Sequence, residues 1–166
     1  MTRLSAVAVV CTSVSVLGLV GLTAAHAPKL VVLNESPSLP RGLYVRAADQ
    51  AADRGAIVAL AQPTVARAYL AGLRMPAGVP LLKRVAAASG DRACASAGTA
   101  RLPKRVLPVR DRDRLGTALP VWRGCRHLGP DEIFVAGDTA NSFDSRYFGP
   151  VSRGEVEGVF RELVTW

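Results

Sequence analysis

Residues 79–87, Val-Pro-Leu-Leu-Lys-Arg-Val-Ala-Ala, form an apolar stretch that is interrupted by two adjacent basic residues. The run of apolar residues predicts a strand, which a Gly-Asp pair ends a few residues later. Successive side chains of a strand point to opposite faces of the sheet, so Leu82 and Arg84 would share one face. Lys83 would then point to the other face among apolar residues, and such surroundings lower the pKa of a lysine. The alternative is that Lys83 is an exposed residue on an edge strand.

Further short strands are predicted along the chain, at residues 30–33, 42–45, 56–60, 132–136 and 155–161. Residues 63–73 differ, because their apolar residues recur at helical spacing and a proline lies just beyond them. Residues 101–120 hold three prolines and an alternating Arg-Asp run, which predicts a solvent-exposed loop segment with weak strand content. Many short strands with one short helix predict a mainly β domain.

The N-terminal segment, residues 4–25, carries no charged residue and is long enough to span a bilayer as a helix. We expect a single-pass transmembrane helix there, with residues 1–3 in the cytoplasm and a domain over residues 30–166 on the periplasmic or outer side. Arg3, the only charge before the span, favours this orientation. A signal peptide cleaved after Ala27 is the alternative, although the apolar stretch is longer than a usual signal core.

The formal net charge is +8, and aromatic residues make up 5% of the chain. We exclude nucleic acid as a partner because aromatics are few, no recognition motif is present and the domain is expected outside the cytoplasm. Lipid of the cytoplasmic membrane is a partner that such a charge fits, although solubility alone also accounts for it.

The cysteines are informative about the compartment. Cys11 lies in the apolar segment, which leaves Cys94 and Cys125. In an oxidising compartment two remaining cysteines suggest a disulfide that closes a long loop, whereas the alternative is two separate buried thiols. Together with His127 they lack the spacing of metal ligands, so no metal site and no cofactor are predicted.

Ser38 follows the apolar segment closely, in a Ser-Pro-Ser-Leu-Pro turn. A serine hydroxyl is a poor nucleophile unless a base takes its proton. Neither His26 nor His127 has surroundings that suggest a catalytic triad, so a neutral, buried Lys83 is the alternative base. The competing interpretation is ordinary turn chemistry, in which such serines bond only the local backbone.

A late polar cluster follows the predicted strand at 132–136. Residues 137–146 contain a Gly-Asp pair and then Asn-Ser-Phe-Asp-Ser-Arg, which places many polar side chains beside a core strand. The alternative is a turn with a surface pair between Asp144 and Arg146, which would contribute little stability.

Taken in order, these segments resemble the conjugal transfer signal peptidases of the TraF type, relatives of bacterial signal peptidase I. The similar segments are the serine box at 34–44, a strand box at 55–58, the lysine box at 82–85 with 90–91, and the terminal box at 137–150. The resemblance covers nearly the whole chain and implies a signal-peptidase-like β domain and a serine–lysine endopeptidase. The segment Ser38-Leu39-Pro40 is one residue shorter than the general signal peptidase pattern, which fits the transfer type.

The resemblance also implies a role for single residues. Ser38 corresponds to the nucleophile, Lys83 to the general base and Asp144 to the late acidic residue of the transfer type. Ser142 corresponds to the serine that orients the lysine, and Ser36 to the hydroxyl that completes the oxyanion hole. In addition, Arg84 and Arg146 would pair with Asp144 and hold the site.

The expected substrate is an exported precursor protein, most directly a conjugative pilin subunit, and the acyl-enzyme would be resolved by hydrolysis or by cyclisation. One alternative is a general signal peptidase that acts on many exported proteins. A second alternative is a membrane-anchored β module that only binds pilus-assembly partners.

Overall fold

The computed structural model describes residues 28–96 and 98–166. The predicted transmembrane helix at 4–25 and the alternative cleavage site after Ala27 lie outside these residues. In the described part of the chain, no helix has the length and apolarity that are needed to cross a membrane.

The domain contains a larger and a smaller antiparallel sheet. Seven strands form the larger sheet, in the spatial order β1 (Val31–Asn34), β2 (Gly42–Arg46), β11 (Val156–Thr165), β3 (Ile57–Leu60), β4 (Leu81–Ala87), β9 (Glu132–Ala136) and β10 (Val151–Ser152). Four strands form the smaller sheet, in the order β7 (Arg105–Pro108), β6 (Thr99–Leu102), β5 (Arg92–Ser96) and β8 (Gly124–His127). The helices are α1 (Thr64–Gly72), the single turn α2 (Ser145–Phe148) and a 3-10 turn (Arg153–Glu155).

The mainly β architecture with one sizeable helix is confirmed. The strands predicted for the larger sheet agree with those observed to within two residues at each end, except that β11 continues to Thr165. The prediction missed the smaller sheet almost entirely. Its strands contain mainly alanine, arginine and other residues of weak strand propensity, so the local signal was small. A disulfide joins Cys94 on β5 to Cys125 directly opposite on β8, as expected.

The centre of the larger sheet explains how the site is placed. Strand β4 lies between β3 and β9, and Lys83 on β4 pairs with Val58 on β3. Leu81 and Val85 pack in the hydrophobic cluster on one face, whereas Leu82 packs in the cluster on the other. This alternation turns Lys83 inward, where it is 5% exposed. The alternative of an exposed lysine on an edge strand is therefore wrong.

Candidate active site

Ser38 and Lys83 lie in direct contact. Lys83 Nζ donates a hydrogen bond to Ser38 Oγ at 2.8 Å, and both residues are buried. Burial lowers the pKa of Lys83 to about 8, while the charge of Asp144 raises it and that of Arg146 lowers it. A lysine with this pKa is partly neutral near neutral pH, and its lone pair then accepts the serine proton over the same distance.

Asn34, the last residue of β1, holds the serine-bearing loop in shape. Its buried amide nitrogen donates to the carbonyl oxygens of Ser36 at 3.0 Å, Leu39 at 3.2 Å and Pro40 at 2.9 Å. Its Oδ1 accepts the N–H of Ser36 at 3.2 Å. Asn34 was not among the predicted site residues, although an asparagine two residues before a serine is the known pattern of an Asx turn.

The far end of the serine loop is fixed by β2 and β11. The hydroxyl of buried Tyr44 donates to the carbonyl of Pro40 at 2.7 Å, and the N–H of Trp166 donates to that of Arg41 at 3.0 Å. Gly42 has a φ of +156°, and a Cβ there would lie 2.1 Å from the carbonyl oxygen of Val164. Only glycine allows this close approach, which ties the loop to the larger sheet.

Ser36 is hydrogen-bonded to Ser38 through two atoms. Their Oγ atoms lie 2.8 Å apart, and the N–H of Ser38 donates to Ser36 Oγ at 3.2 Å. The Ser36 hydroxyl expected in the oxyanion hole therefore bonds the Ser38 N–H, which is the backbone donor that such a hole would also use. Ser36 is exposed at the loop surface, so its hydroxyl has room to rotate away.

The terminal segment meets the serine loop at Gly137, just after β9. The N–H of Asp138 donates to the carbonyl of Ser38 at 2.6 Å. A Cβ on Gly137 would lie 2.2 Å from Ser142 Oγ and 2.8 Å from the carbonyl oxygen of Ser38. The absence of a side chain at Gly137 thus lets the two serine-bearing segments pack together.

Asp144 and Arg146 form a completely buried ion pair. Arg146 Nε donates to Asp144 Oδ1 at 2.7 Å and Nη2 to Asp144 Oδ2 at 2.8 Å. The remaining guanidinium hydrogens reach backbone carbonyls, namely those of Pro108, Thr139, Ala140 and Ser142. Burial opposes the charge of Arg146, but the hydrogen bonds and charge of Asp144 outweigh it and raise the pKa. This satisfied pair fixes the loop that carries Ser142.

The expectation that Arg84 also pairs with Asp144 is wrong. Arg84 Nε and Nη2 donate to the two carboxylate oxygens of Asp138 at 3.1 and 3.0 Å. Arg84 follows Lys83 on β4, so it points to the opposite face of the sheet, away from the buried Asp144. Its role is to hold Asp138, whose backbone contacts Ser38.

Ser142 is buried beside the site, 4% exposed. Among the described residues its Oγ has no hydrogen-bond partner, and the bond of Lys83 Nζ goes to Ser38. The expected hydrogen bond between Ser142 and Lys83 is therefore not formed in this structure. A buried hydroxyl without a partner is costly, so an acceptor is available here for a further donor.

A cleft of about 460 Å³ opens beside Ser38, Lys83 and Ser142. Much of its remaining wall is apolar, with side chains from β1, from α1 and its C-terminal turn, and from the segment before β4: Val32, Leu33, Leu70, Leu73, Met75 and Val79. Such a cleft suits an apolar, extended peptide. Across residues 28–96 and 98–166, no group of His, Cys, Asp and Glu side chains is arranged to hold a metal ion.

Known proteins resemble the chain over most of its length. The family model of signal peptidase, peptidase S26, matches residues 3–166. The chain is 33% identical over 147 residues to a plasmid transfer protein TraF of Escherichia coli, covering 81% of this chain and 82% of that protein. It is 28% identical over 148 residues to a probable conjugal transfer protein TraF of Sinorhizobium fredii, covering 81% and 77% of the two chains.

Among solved structures, a signal peptidase I from Enterococcus faecalis V583 matches with a TM-score of 0.39 and 22% identity, covering 66% of this chain and 97% of that one. The family match over residues 3–166 and the relatives, which cover 81% of the chain, confirm the resemblance noted from the four boxes. The chain belongs to the signal peptidase family, peptidase S26, which implies a serine peptidase.

Proposed function

We propose that the protein is a membrane-anchored serine endopeptidase that cleaves an exported precursor, most directly a pilin subunit of a conjugation system. The observation that carries the proposal is the 2.8 Å hydrogen bond between Ser38 and a buried Lys83 whose pKa is lowered to about 8. The substrate class is supported by the similarity to proteins named for plasmid and conjugal transfer.

In the first step, neutral Lys83 takes the proton of Ser38 Oγ while that oxygen attacks the scissile carbonyl carbon. The N–H of Ser38 and the hydroxyl of Ser36, released from each other, donate to the oxyanion that forms. Protonated Lys83 then gives its proton to the departing amine. The C–N bond breaks, and an ester between Ser38 Oγ and the N-terminal part of the substrate remains.

In the second step, a nucleophile attacks this ester and Lys83 takes its proton, after which Ser38 Oγ leaves and is reprotonated. Water as the nucleophile gives a linear product. An amine of the same substrate chain gives a cyclic product, which is lighter than the linear one by one water.

Ser142 and Asp144 would support the charge that Lys83 carries between the two proton transfers. An ammonium group has three N–H donors, and Ser38 accepts one. We assign the unpartnered Ser142 Oγ to a second donor, because both side chains line the same cleft. Asp144 acts through its charge, which raises the pKa of Lys83, while its carboxylate oxygens hold Gly137 and Arg146. Asp144 is thus a positioning residue.

Exposed apolar side chains near the serine loop support a location at the membrane surface. Val31 and Leu33 on β1 are 54% exposed, and Trp166, whose backbone binds Arg41, is 70% exposed. A group of exposed apolar side chains is typical of a membrane or protein contact. Together with an anchor at residues 4–25, these side chains would hold the catalytic domain against the outer face of the cytoplasmic membrane, where an exported precursor emerges.

The test is mass spectrometry of a candidate pilin precursor co-expressed with the full chain. We expect a shortened product with the wild type, and an intact precursor with Ser38→Ala or Lys83→Ala. Exposed Ser96 and Lys104 offer matched controls, so Ser96→Ala and Lys104→Ala should process as the wild type does. A product lighter by one water than the linear fragment shows cyclisation.

Other outcomes separate the alternatives. Processing by both Ser38→Ala and Lys83→Ala would reject the serine–lysine mechanism and favour a module that only binds assembly partners. An intact pilin precursor together with shortened forms of many other exported proteins would instead identify a general signal peptidase.

A further inference from the structure

A second cavity, of about 380 Å³, adjoins the apolar cleft. The two share the wall formed by Pro37, Tyr69, Thr139, Asn141, Ser142 and Phe143. The opposite wall comes from residues 110–119, which follow β7 and carry Arg110, Arg112 and Arg114. Ser38 lines the apolar cleft, and its neighbour Pro37 lines both cavities, so a polypeptide bound at Ser38 lies next to the second cavity.

The lining of this cavity carries a net positive charge, from three arginines and one aspartate. Among the described residues, none of its three arginines forms an ion pair with a carboxylate. Asp113, the acidic residue in the wall, is occupied: its carboxylate accepts from the hydroxyl of Tyr69 at 3.1 Å and from the N–H groups of Leu115 and Thr117, both at 2.8 Å. Arg112 Nη1 donates to the carbonyl oxygen of Gly116 at 2.7 Å, which leaves its charge unpaired. Three guanidinium groups around one opening, none of them bound to a carboxylate in the described part of the chain, create a potential that attracts anions.

The wall that carries the arginines is fixed relative to the active site. The Tyr69–Asp113 hydrogen bond joins it to α1, and the ring of Tyr69 packs on Phe143 with centroids 4.6 Å apart. At its base, Arg146 Nη1 donates to the carbonyl of Pro108 at 2.8 Å. The ion pair that fixes the Ser142 loop thus also fixes the start of the arginine-bearing segment.

We propose that this second cavity, the arginine subsite, binds carboxylate groups of the substrate polypeptide on one side of the scissile bond. Guanidinium groups bind carboxylates in a planar, two-bonded geometry, which makes arginine suited to this recognition. The substrate would then be selected by apolar residues on one side of the cut and by acidic groups on the other. This inference rests on the proposed endopeptidase function.

A binding experiment tests the subsite without any catalysis. Each probe is a fluorescent peptide with an apolar half and an alanine block. A pair of glutamates, glutamines or lysines is attached to one side of the block or to the other, so that each pair is tested in both orientations. The full-length Ser38→Ala protein in detergent micelles provides the receptor. We expect the glutamate peptide of one orientation to bind about tenfold more tightly than its glutamine counterpart at low salt, and the preference to shrink as salt rises.

Arg110→Gln combined with Arg114→Gln removes two subsite charges whose side chains have no hydrogen-bond partner among the described residues. We expect this variant to lose most of the preference for glutamate, by about three- to tenfold, while its affinity for the glutamine peptide stays the same. Arg101→Gln with Arg161→Gln is the matched control, because it removes the same charge from exposed strand positions outside both cavities. Glutamate peptides that end in a C-terminal acid or in an amide show whether the subsite binds the glutamate side chains or the C-terminal carboxylate.

The outcomes distinguish failure of the subsite from failure of the proposed function. Equal binding of glutamate and glutamine peptides, or the same loss in the control variant, overturns the subsite even if the wild type cleaves them. Absence of cleavage with the glutamate preference intact leaves the subsite standing and rejects the proposed chemistry on these peptides. Arginine-dependent binding to anionic but not zwitterionic vesicles, without a glutamate preference, would assign these arginines to lipid and overturn the inference.

Discussion

Ser36 Oγ accepts the backbone N–H of Ser38 at 3.2 Å and lies 2.8 Å from Ser38 Oγ. The loop therefore holds its proposed nucleophile and both proposed oxyanion donors hydrogen-bonded to one another. In the proposed mechanism, binding of a scissile carbonyl breaks this mutual contact, and rotation of the exposed Ser36 hydroxyl brings the loop into its reactive form.

Replacing Ser36 by alanine should lower kcat by about 10²-fold with little change in KM, because the hydroxyl would donate only to the transition-state oxyanion. Ser36→Thr keeps the hydroxyl and should retain most of the activity. Steady-state kinetics of the two variants check this. Equal activity of Ser36→Ala and the wild type would place the oxyanion donors elsewhere.

The pH dependence of kcat/KM should show Lys83 as the base. Only neutral Lys83 accepts the serine proton, so kcat/KM should rise about tenfold per pH unit below pH 8 and level off above it. The charge of Asp144 raises the pKa of Lys83, so Asp144→Asn should move the midpoint to lower pH. Asp138→Asn is the control, since it removes an exposed carboxylate bound to Arg84 and should leave the midpoint in place. A midpoint that does not move in Asp144→Asn would contradict the assigned role.

Lys83→Met should abolish activity and yet stabilise the fold at pH 7. The folded-state pKa of Lys83, about 8, lies below the ordinary value of 10.5, so the folded state disfavours the charged form. This destabilisation is fully present below pH 8 and disappears as the pH rises towards 10.5. We expect a gain of about 1–3 kcal/mol at pH 7, measured by denaturant unfolding, which is smaller at pH 10. The exposed Lys104→Met control should show no gain, and a destabilised Lys83→Met would refute the argument.

Asn34→Asp should damage the serine loop although it hardly changes the side-chain shape. A carboxylate cannot donate to the three carbonyl oxygens that Asn34 Nδ2 now binds, and it would face them as a buried anion. We expect a loss of about 2–4 kcal/mol in the free energy of unfolding and a fall in kcat larger than that of Asn34→Ala. Thermal unfolding and kinetics of both variants check this, and a harmless Asn34→Asp would show that the loop is held in another way.

The sequence predicted the strands of the larger sheet, because their local residue pattern agrees with their environment in the folded domain. The apolar run of β4 correctly indicated a strand on which Lys83 and Arg84 point to opposite faces, while the choice between a buried and an exposed Lys83 was decided by the structure. The smaller sheet escaped prediction because its strands have weak local preference and depend on pairing with one another, as at Cys94 and Cys125. The single turn α2 is too short to show a helical period.

At the site, the order of the segments pointed to Ser38 and Lys83, but their supporting contacts were not predictable from residue types. The partner of Arg84 was misassigned, since Asp138 and Asp144 lie in the same late segment and their different burial is not visible in the sequence. Asn34 was overlooked because its four hydrogen bonds depend on how the chain returns over residues 36–40. Ser142 Oγ has no hydrogen-bond partner among the described residues because of how it packs against Gly137, which the sequence likewise does not show.

The alternation along β4 has a consequence for how this protein can change during evolution. One inserted or deleted residue in the strand would exchange Lys83 and Arg84 between the two faces of the sheet, and so remove the base and bury an unpaired guanidinium in a single event. The arginine-bearing segment at 110–119 follows the smaller sheet and is joined to α1 by the Tyr69–Asp113 hydrogen bond, so changes in its length leave the register of β4 untouched. With the proposed arginine subsite on this segment, substrate preference can therefore change between related proteins while Ser38 and Lys83 stay in place.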